Sequence, residues 1–471
     1  MAAEAKGTNV IWRMILILVA GFAALRANAA APCAIQVIDT ENGWPVPMVE
    51  LRTNNQVRFV SDNAGRIAFD LRELMGRETW FNVWSDDYEV PADGFGYRGV
   101  RLTPAPGKKF TVKVHRTSIA KRLGRITGAG LFGESQKLGF ETDWKETGVL
   151  GCDSVQNAVH DGRMFWLWGD TTLARYPLGI FDASSATSSI RPMEIFEPPL
   201  RLKLDYFRDD AGFPRGVAKM PGPGPTWLTG YVSLPDKAGH DHLVATYAKI
   251  KPPLEAYERG LCSWNEQTSR FEHLRTIWTK SDSASKATMS LQGHPVVVDD
   301  DDGRKWVLFG DPLPTVRCPA SFEAWQNPSN WEKLTPQETI PSASDGKPIK
   351  PASGSIAWNA FRKRWVTVFL QSFGRPSAFG EIWYAEADSP YGPWGPAVKV
   401  LSHKNYTFYN PRLHPEFTQA DSPILLFEGT HSTFLADRPE PTPRYDYNQI
   451  LYRLDLDDPK LAPAHGTANG R

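Results

Sequence analysis

Alternating apolar and polar residues, broken by turns rich in Gly, Asp and Asn, run through most of this 471-residue chain and predict short β-strands. The clearest case is the segment 151–172, GCDSVQNAVHDGRMFWLWGDTT. Two apolar runs there flank Asp161-Gly162, a dipeptide that favours a hairpin because glycine adopts positive φ at no steric cost. In an antiparallel hairpin the two outer ends lie side by side. We therefore expect Asp153 and Asp170 to emerge close together on one rim.

The segment 30–115 has the pattern of a small independent β-sandwich, with several short strands separated by turns. Nothing in it resembles a catalytic set, and Asp62 and Asp86 are expected to be turn residues. The predicted strands are Ala34–Ile38, Val49–Arg52, Val57–Val60, Ile67–Phe69, Trp80–Val83 and Phe110–Val114.

A loose repeat of roughly 60 to 70 residues occupies positions 126–457. Each unit has an opening strand, a polar turn and a second strand rich in aromatic residues. Five such units predict an all-β fold with a five-bladed β-propeller, in which radial blades protect most sheet edges. A two-sheet sandwich is the alternative. The units open on DSVQNAV, GPTWLTGYVSL, GHPVVV, SGSIAWN and YNPRLHPEF.

The two ends and the junction differ from these units in composition. Residues 1–29 have a basic leader, a short apolar run at Met14–Leu25 and a small-x-small site, which predicts an export signal. The run is too short to span a membrane comfortably, so we expect a protein that is not integral to a membrane after cleavage. Its expected location is the periplasm, the cell surface or the medium.

The basic segment 116–125 is predicted to be a linker with a helical turn or two. Residues 458–471 are predicted to be a disordered tail.

Composition excludes several classes of function. The chain has 53 basic and 53 acidic residues and no dense basic run, so no nucleic-acid partner is expected.

Asp299–Asp302 lacks the EF-hand pattern and is expected to be a solvated turn. No cofactor or metal is predicted. The cysteines show no zinc spacing and can form up to two disulfides or remain buried thiols; they are Cys33, Cys152, Cys262 and Cys318.

Several motifs resemble known families. VIDTENGWPVPMVELRT, FVSDNAGRIAF and WSDDYEVP, within 30–115, are similar to carboxypeptidase-regulatory, transthyretin-like modules, which usually act as spacers or adhesion units. DSPYGPW resembles a loop of the furanosidase-type five-bladed propeller glycosidases. LWGDTT, FYNPRLHPEF, LFEGT and RYDYNQILYRLDL resemble a bacterial family formerly of unknown function that includes endo-D-arabinanases. The resemblance covers 126–457 and implies a propeller glycosidase.

The resemblance also implies which residues act. Asp153 and Asp170 match the two acidic positions of the first blade and are the expected catalytic pair. In the furanosidase clan a second Asp opens blade three and a Glu opens blade four, whereas this chain has His294 and Ser353 there. Either the chemistry rests on Asp153 and Asp170, or the protein binds glycan without cleaving it.

Hydrolysis of a glycosidic bond needs two carboxyl groups in different protonation states. One must be protonated to donate to the leaving oxygen, so burial or a neighbouring charge must raise its pKa. A separation of about 5–5.5 Å between the carboxyl groups favours retention, and about 6.5–9.5 Å favours inversion. Because hairpin ends are close neighbours, we expect retention with Asp153 as nucleophile and Asp170 as acid/base, and the roles can be exchanged.

Three further acidic residues are candidates for a third carboxylate. Asp311 ends the strand WVLFGD as Asp170 ends WLWGD, and Glu428 follows ILLF in the same way. Glu381 precedes the strand IWYAEA. For each residue the alternative is structural, namely a turn cap or a salt bridge at a sheet edge.

Four residues are candidates for substrate binding. His294 opens the third unit and is expected to face the central axis; its alternative is a histidine satisfied by backbone. Alternation places Asn410, Arg412 and His414 on one side of a strand, where they could bind sugar hydroxyls.

The sequence leaves two functions open. The first is an exported glycoside hydrolase acting on a furanose-containing or related polysaccharide, which Asp153 and Asp170 favour. The second is a glycan-binding or scaffold propeller without activity, which His294 and Ser353 favour. No nucleophile elbow, zinc-protease helix, phosphate loop or dinucleotide fingerprint suggests a third.

Overall fold

The computed structural model describes residues 31–191, 196–281, 289–300, 302–375, 378–404, 406–435 and 440–465. Its regular structure is nearly all β-strand, as predicted. The predicted export signal at 1–29 lies outside these residues, and within them no helix is long and apolar enough to cross a membrane. The helices are α1 (Gly133–Lys137) and α2 (Phe322–Gln326), with 3₁₀ turns at Arg72–Leu74, Pro328–Asn330, Pro415–Phe417 and Pro459–Ala464.

Eight strands form two four-stranded sheets in the N-terminal unit, residues 33–116. They are β1 (Cys33–Asp39), β2 (Glu50–Thr53), β3 (Arg58–Val60), β4 (Arg66–Phe69), β5 (Thr79–Trp84), β6 (Tyr88–Glu89), β7 (Gly99–Leu102) and β8 (Lys109–Arg116). One sheet has the order β4-β1-β8-β6 and the other β3-β2-β5-β7. Ile35, Phe81 and Val112 lie in one core to which both sheets contribute. The six predicted strands are confirmed, and β6 and β7 are additional.

Five four-stranded antiparallel sheets, named sheets I to V, follow along the chain. Sheet I contains β11 (Gln156–His160), β12 (Arg163–Trp168), β15 (Ser184–Ser188) and β16 (Asp205–Tyr206). Sheet II contains β17 (Thr226–Pro235), β18 (Asp241–Lys251), β19 (Glu255–Asn265) and β20 (Arg270–Thr279). Sheet III contains β21 (Val296–Asp299), β22 (Lys305–Gly310), β23 (Pro314–Pro319) and β24 (Glu332–Lys333).

The remaining strands complete the series. Sheet IV contains β27 (Pro351–Asn359), β28 (Arg364–Gln371), β29 (Glu381–Ala387) and β30 (Val398–Ser402). Sheet V contains β31 (Thr407–Leu413), β32 (Ile424–Ser432), β33 (Asn448–Asp455) and β9 (Lys121–Arg125). Two small sheets are β10 (Val149–Cys152), β13 (Thr171–Leu173) and β14 (Tyr176–Ile180), and the hairpin of β25 (Ile340–Pro341) and β26 (Pro348–Ile349).

Each of the five sheets shares a buried apolar core with the next sheet along the chain, and sheet V shares one with sheet I. Each sheet therefore packs against two others and the series is closed, which removes that apolar surface from water. Residues that meet in these cores are Phe165 and Tyr231, Leu234 and Phe309, Val296 and Ile356, Val368 and Phe427, and Leu451 and Trp166.

The strand that completes sheet V comes from the predicted linker. β9 pairs with β33 in antiparallel register, so the prediction that 116–125 is an exposed connector with helical turns is wrong. Its two arginines are buried, with Arg122 over the ring of Tyr88 and Arg125 over the ring of Tyr445. Aromatic faces and carbonyl acceptors replace water around these weakly hydrated guanidinium groups.

The C-terminal segment is also more ordered than predicted. Within the predicted disordered tail, Leu461 and Ala464 of the 3₁₀ helix are buried in the core between sheets IV and V. The Asp458 side chain caps this helix by accepting the Lys460 N–H at 2.9 Å. Residues 466–471 lie outside the described part of the chain.

All four cysteines are buried free thiols, which decides between the two alternatives left by the sequence. Burial raises the pKa of each thiol. A protonated, buried thiol is a poor nucleophile, so these residues act as packing groups.

A buried ion pair joins the N-terminal unit to the rest of the chain. The Asp87 carboxylate lies 3.3 Å from His403 Nε2 and accepts the Tyr452 hydroxyl at 3.0 Å. Burial alone would lower the pKa of His403, but the charge and hydrogen bond of Asp87 outweigh burial and raise it. Burial alone would raise the pKa of Asp87, but His403 outweighs burial and lowers it.

His403→Gln is expected to lower the free energy of unfolding by about 3 kcal/mol near pH 5.5, because it leaves the buried Asp87 charge without its partner. His403 stabilises the fold below its unfolded pKa of about 6.5, and this contribution is lost as the pH rises through its raised folded pKa. Asp87 stabilises above about pH 3.8, and this contribution is lost as the pH falls through its lowered folded pKa. The loss should be largest between about pH 4 and 6.5 in urea unfolding measured across pH.

His240→Gln is the matched control. This histidine also lies beside an aspartate, Asp236, but its side chain is 78% exposed, so the variant should unfold like the wild type. An equal loss for His403→Gln at acidic and strongly alkaline pH would contradict the assignment.

Candidate active site

Two strand pairs place Asp153 and Asp170 next to each other. Cys152 of β10 lies opposite Thr171 of β13, and on the other side β11 pairs with β12. The two aspartates lie in the short segments between these pairs. The Gly169 N–H donates to the Asp153 carbonyl oxygen at 2.8 Å and fixes the two segments together. Both carboxyl groups are part-buried at the rim where the first strands of the sheets begin.

The surroundings of Asp153 give its carboxyl group an unusual proton affinity. The Tyr409 hydroxyl of sheet V donates to Asp153 Oδ2 at 2.9 Å. Burial, followed by the charge of Asp170, raises the pKa of Asp153 to about 6, against the lowering effect of hydrogen bonds from Tyr409 and Tyr447. A Cβ atom at Gly169 would lie 2.4 Å from Asp153 Oδ1, so only glycine allows this carboxyl position.

The carboxyl group of Asp170 has fewer hydrogen-bond partners than that of Asp153. Its Oδ1 is buried and has no hydrogen-bond partner among the described residues. Burial raises the pKa of Asp170, Trp227 of sheet II opposes this, and the charge of Asp182 adds to it. A buried polar atom without a partner needs an explanation in a native structure, and a ligand is one.

A third carboxylate, Asp311, lies on the same rim. Asp311 Oδ1, just after β22, accepts the Ser353 hydroxyl at 2.7 Å and the Gly354 N–H at 2.8 Å. Ser353 Oγ also lies 3.2 Å from Asn410 Oδ1, and Asn410 Nδ2 donates to Ser154 Oγ at 2.8 Å. This network joins residues in or next to strands of sheets III, IV, V and I. Burial raises the pKa of Asp311, and its two hydrogen bonds oppose the rise.

Beneath the rim lies a buried polar layer. Arg412 Nε donates to Asn157 Oδ1 at 2.8 Å, and the Asn157 amide lies 2.9 Å from His414 Nδ1. His414 Nε2 lies 2.8 Å from Glu428 Oε1. Burial, followed by the charge of Arg412 and then His414, lowers the pKa of His294 well below its usual range, so it is neutral.

Four of the residues predicted for chemistry or for substrate binding are enclosed. His414 and Glu428 are fully buried, and His294 and Arg412 are at most 7% exposed, so none presents a side chain to the rim. These four residues belong to the buried layer beneath the rim, and their predicted roles stay predictions. The regular alternation expected after Tyr409 fails because a β-bulge lies between Tyr409 and Arg412, where Asn410 has φ 54°.

Glu381 lies elsewhere. Its buried carboxylate forms an ion pair with Lys399 and faces a separate cavity beside sheet IV. The side chain is held by the strand pair β29–β30, and the structure brings it into no contact with Asp153 or Asp170. Glu381 is therefore not a third carboxylate of this site.

The sequence did not identify Tyr447, Trp227 and Ser154 as site residues. Their partners lie in other sheets, and no spacing along the chain connects them with Asp153. In the sequence, Ser353 is marked only by its departure from the furanosidase pattern. Within the described part of the chain, no group of three or more His, Cys, Asp or Glu side chains is arranged to hold a metal ion.

No protein-family model and no curated protein matches this chain. It has a distant likeness to solved structures of glycoside hydrolases. An exo-1,5-α-L-arabinanase from a bovine ruminal metagenomic library is 10% identical, with 66% of this chain and 94% of that chain covered and a TM-score of 0.38. A GH43_1 enzyme from Xanthomonas citri, complexed with xylose, is 12% identical, with 72% and 89% covered and a TM-score of 0.39. A putative exo-β-1,3-galactanase from Bifidobacterium bifidum is 12% identical, with 66% and 92% covered and a TM-score of 0.38. At these values the likeness establishes neither a shared fold nor a shared activity.

Two variants should move the Asp153 titration in opposite directions. Tyr409→Phe removes a hydrogen-bond donor to the carboxylate, so the pKa of Asp153 should rise above about 6. Asp170→Asn removes a negative charge, so the pKa of Asp153 should fall. Carbon NMR of aspartate-labelled protein measures both.

Tyr97→Phe, at an exposed tyrosine of the N-terminal unit, is the control and should leave the titration unchanged. If both site variants shift the Asp153 titration in the same direction, the hydrogen bond from Tyr409 and the charge of Asp170 do not set its pKa as described.

Proposed function

We propose that this protein is an exported glycoside hydrolase that cleaves a furanose-containing or related polysaccharide at Asp153 and Asp170. The observation that carries this proposal is the pairing of two part-buried carboxyl groups on one rim, where the charge of Asp170 helps to raise the pKa of Asp153 to about 6. Such a pair can supply the protonated acid and the ionised carboxylate that glycoside hydrolysis needs.

The proposal includes a fold assignment. We propose that sheets I to V are the five blades of a propeller spanning 126–457, and that the N-terminal unit is a carboxypeptidase-regulatory-like sandwich spanning 30–115. The closed series of shared cores supports the first assignment, and the two sheets around one core support the second. The rim that carries Asp153 would then be the mouth of the central funnel.

For the chemistry we propose the reverse of the roles expected from sequence. Asp153 holds a proton up to about pH 6 and suits the general acid, which leaves Asp170 as the nucleophile or base. Asp311 takes a third, orienting role. It lies against Ser353, the position at which the furanosidase clan carries its glutamate. The carboxylate of Asp311, just after β22, therefore lies next to the position where this chain has a serine instead of that glutamate.

A second candidate function is glycan binding without cleavage. His294 and Ser353 occupy positions at which the clan carries acidic residues, and this departure favours it. Saccharide hydroxyls could still meet Asp311, Asn410 and Asp170 at the rim. In either case the proposed partner is a polysaccharide or oligosaccharide, and the proposed location is outside the cytoplasm because of the leader at 1–29.

Purified protein is expected to release new reducing ends from at least one member of a polysaccharide panel. Asp153→Asn should lower that rate about a thousand-fold or more, because an amide cannot donate or accept the catalytic proton. Asp161→Asn is the matched control, since Asp161 lies exposed at the opposite end of the same hairpin and Asn tolerates its φ of 47°.

Full activity in Asp153→Asn would remove the assignment. Saccharide binding by titration calorimetry without any cleavage would select the second candidate function.

The pH profile decides which aspartate is the acid. With Asp153 as general acid, kcat/KM should fall about tenfold per pH unit as the pH rises through about 6, because the proton is lost. Asp311→Asn should lower the rate but keep this descending limb. A rate that instead rises through pH 6 would assign the ionised Asp153 as nucleophile and overturn the proposed exchange of roles.

A further inference from the structure

A cavity of about 680 Å³ lies beside sheet IV and is separate from the carboxylate pair. Its walls come from the β25–β26 hairpin, the strands β29 and β30, the loop 371–375 and the C-terminal 3₁₀ helix. This volume is within the range of small-ligand pockets, about 300–1,000 Å³. The proposed hydrolysis does not use it.

The cavity is next to the rim that carries the proposed active site. Ser353, which holds Asp311, pairs with Leu370 of β28. Gln371 is the next residue along that strand and already lines the cavity. One wall of the cavity therefore begins one residue after the strand position that pairs with Ser353.

The charges in the cavity favour an anion. Two carboxylates line it and each has a partner there: Asp345 lies 2.9 Å from Lys347, and Glu381 pairs with Lys399. The exposed cations Arg375 and Lys460 line it as well and form no ion pair within the described part of the chain. The two unpaired cations can each meet one anionic group of a ligand.

The aromatic residues favour a sugar ring. Trp383 lies in the wall, and its indole N–H is buried without an acceptor among the described residues. Buried indole N–H groups normally have a partner, and a ligand oxygen would provide one. At the edge, Phe373 is 69% exposed with φ 49°, and its ring packs 4.8 Å from that of Phe379. A non-glycine residue held at positive φ costs energy and is typical of functional sites.

From these features we infer that the cavity beside sheet IV binds a saccharide that carries carboxylate groups, as an accessory site for uronate residues of a polysaccharide. Arg375 and Lys460 meet the carboxylates, and the exposed ring of Phe373 provides the surface for a sugar ring. The buried indole N–H of Trp383 donates to an oxygen of the ligand. The two internal ion pairs leave a moderate positive charge, which suits singly charged carboxylates better than dianionic phosphate. This inference deepens the proposed function, but the binding step does not depend on hydrolysis.

Titration calorimetry with tetragalacturonate tests the site, and fully methyl-esterified tetragalacturonate is the matched neutral probe. The full-length Asp153→Asn protein is used, so that the probe is not cleaved. Tetragalacturonate should bind, and its ester should bind about tenfold or more weaker because the charge-assisted hydrogen bonds are lost. The double variant Arg375→Gln/Lys460→Gln should weaken tetragalacturonate binding by about tenfold or more and leave the ester unaffected.

Lys333→Gln, at an exposed lysine of β24 outside the cavity, should bind both probes as the parent protein does. Four outcomes would each overturn the inference. The first three are that tetragalacturonate does not bind at all, that its ester binds equally well, and that the double variant binds as the parent protein does. The fourth is that inorganic phosphate competes at equal strength. Failure of the polysaccharide panel would remove the hydrolase proposal alone, because these titrations measure binding in a protein without Asp153.

Discussion

The pairing of β9 with β33 is the constraint on which the rest of the structure depends. It joins residues from the beginning of the sheet series to its last sheet and places Leu123 and Leu451 in the core shared with Trp166 of sheet I. Without this strand, sheet V would lose its outer neighbour and the closed series of cores would have an open side. An exposed sheet edge can pair with another chain, and an uncovered apolar face is unfavourable in water. Closure of the series removes both.

The same strand anchors the N-terminal unit. Asn63 donates to the Arg125 carbonyl oxygen at 2.9 Å and accepts the Arg125 N–H at 3.0 Å, as a strand neighbour would. Arg122 donates to Ser85 and to the Asp86 carbonyl oxygen at 2.7 and 2.8 Å. These buried polar contacts are satisfied only in one relative position of the two parts, which makes them specific as well as stabilising. The unit is thus tied to the strand that closes the series.

Closure also assembles the rim. Asp153 belongs to sheet I but is held by Tyr409 of sheet V, and Asp311 of sheet III is held by Ser353 of sheet IV. Burial is the largest cause of the raised pKa of each of these two carboxyl groups, and the hydrogen bonds from the neighbouring sheet oppose the rise. The neutral and charged side chains beneath the rim, among them His414, fill the interior with hydrogen bonds that support these positions.

The sequence by itself determined the strands, the hairpins and the adjacency of Asp153 and Asp170, because the period of a strand and the chemistry of a turn act over a few residues. Only the tertiary structure decided that the basic segment around Arg122 is a buried strand, that His414 is enclosed, and that Glu381 faces a different cavity. Those outcomes depend on which distant strands become neighbours. Burial, hydrogen-bond partners and raised pKa values are properties of that packing, and no local pattern carries them.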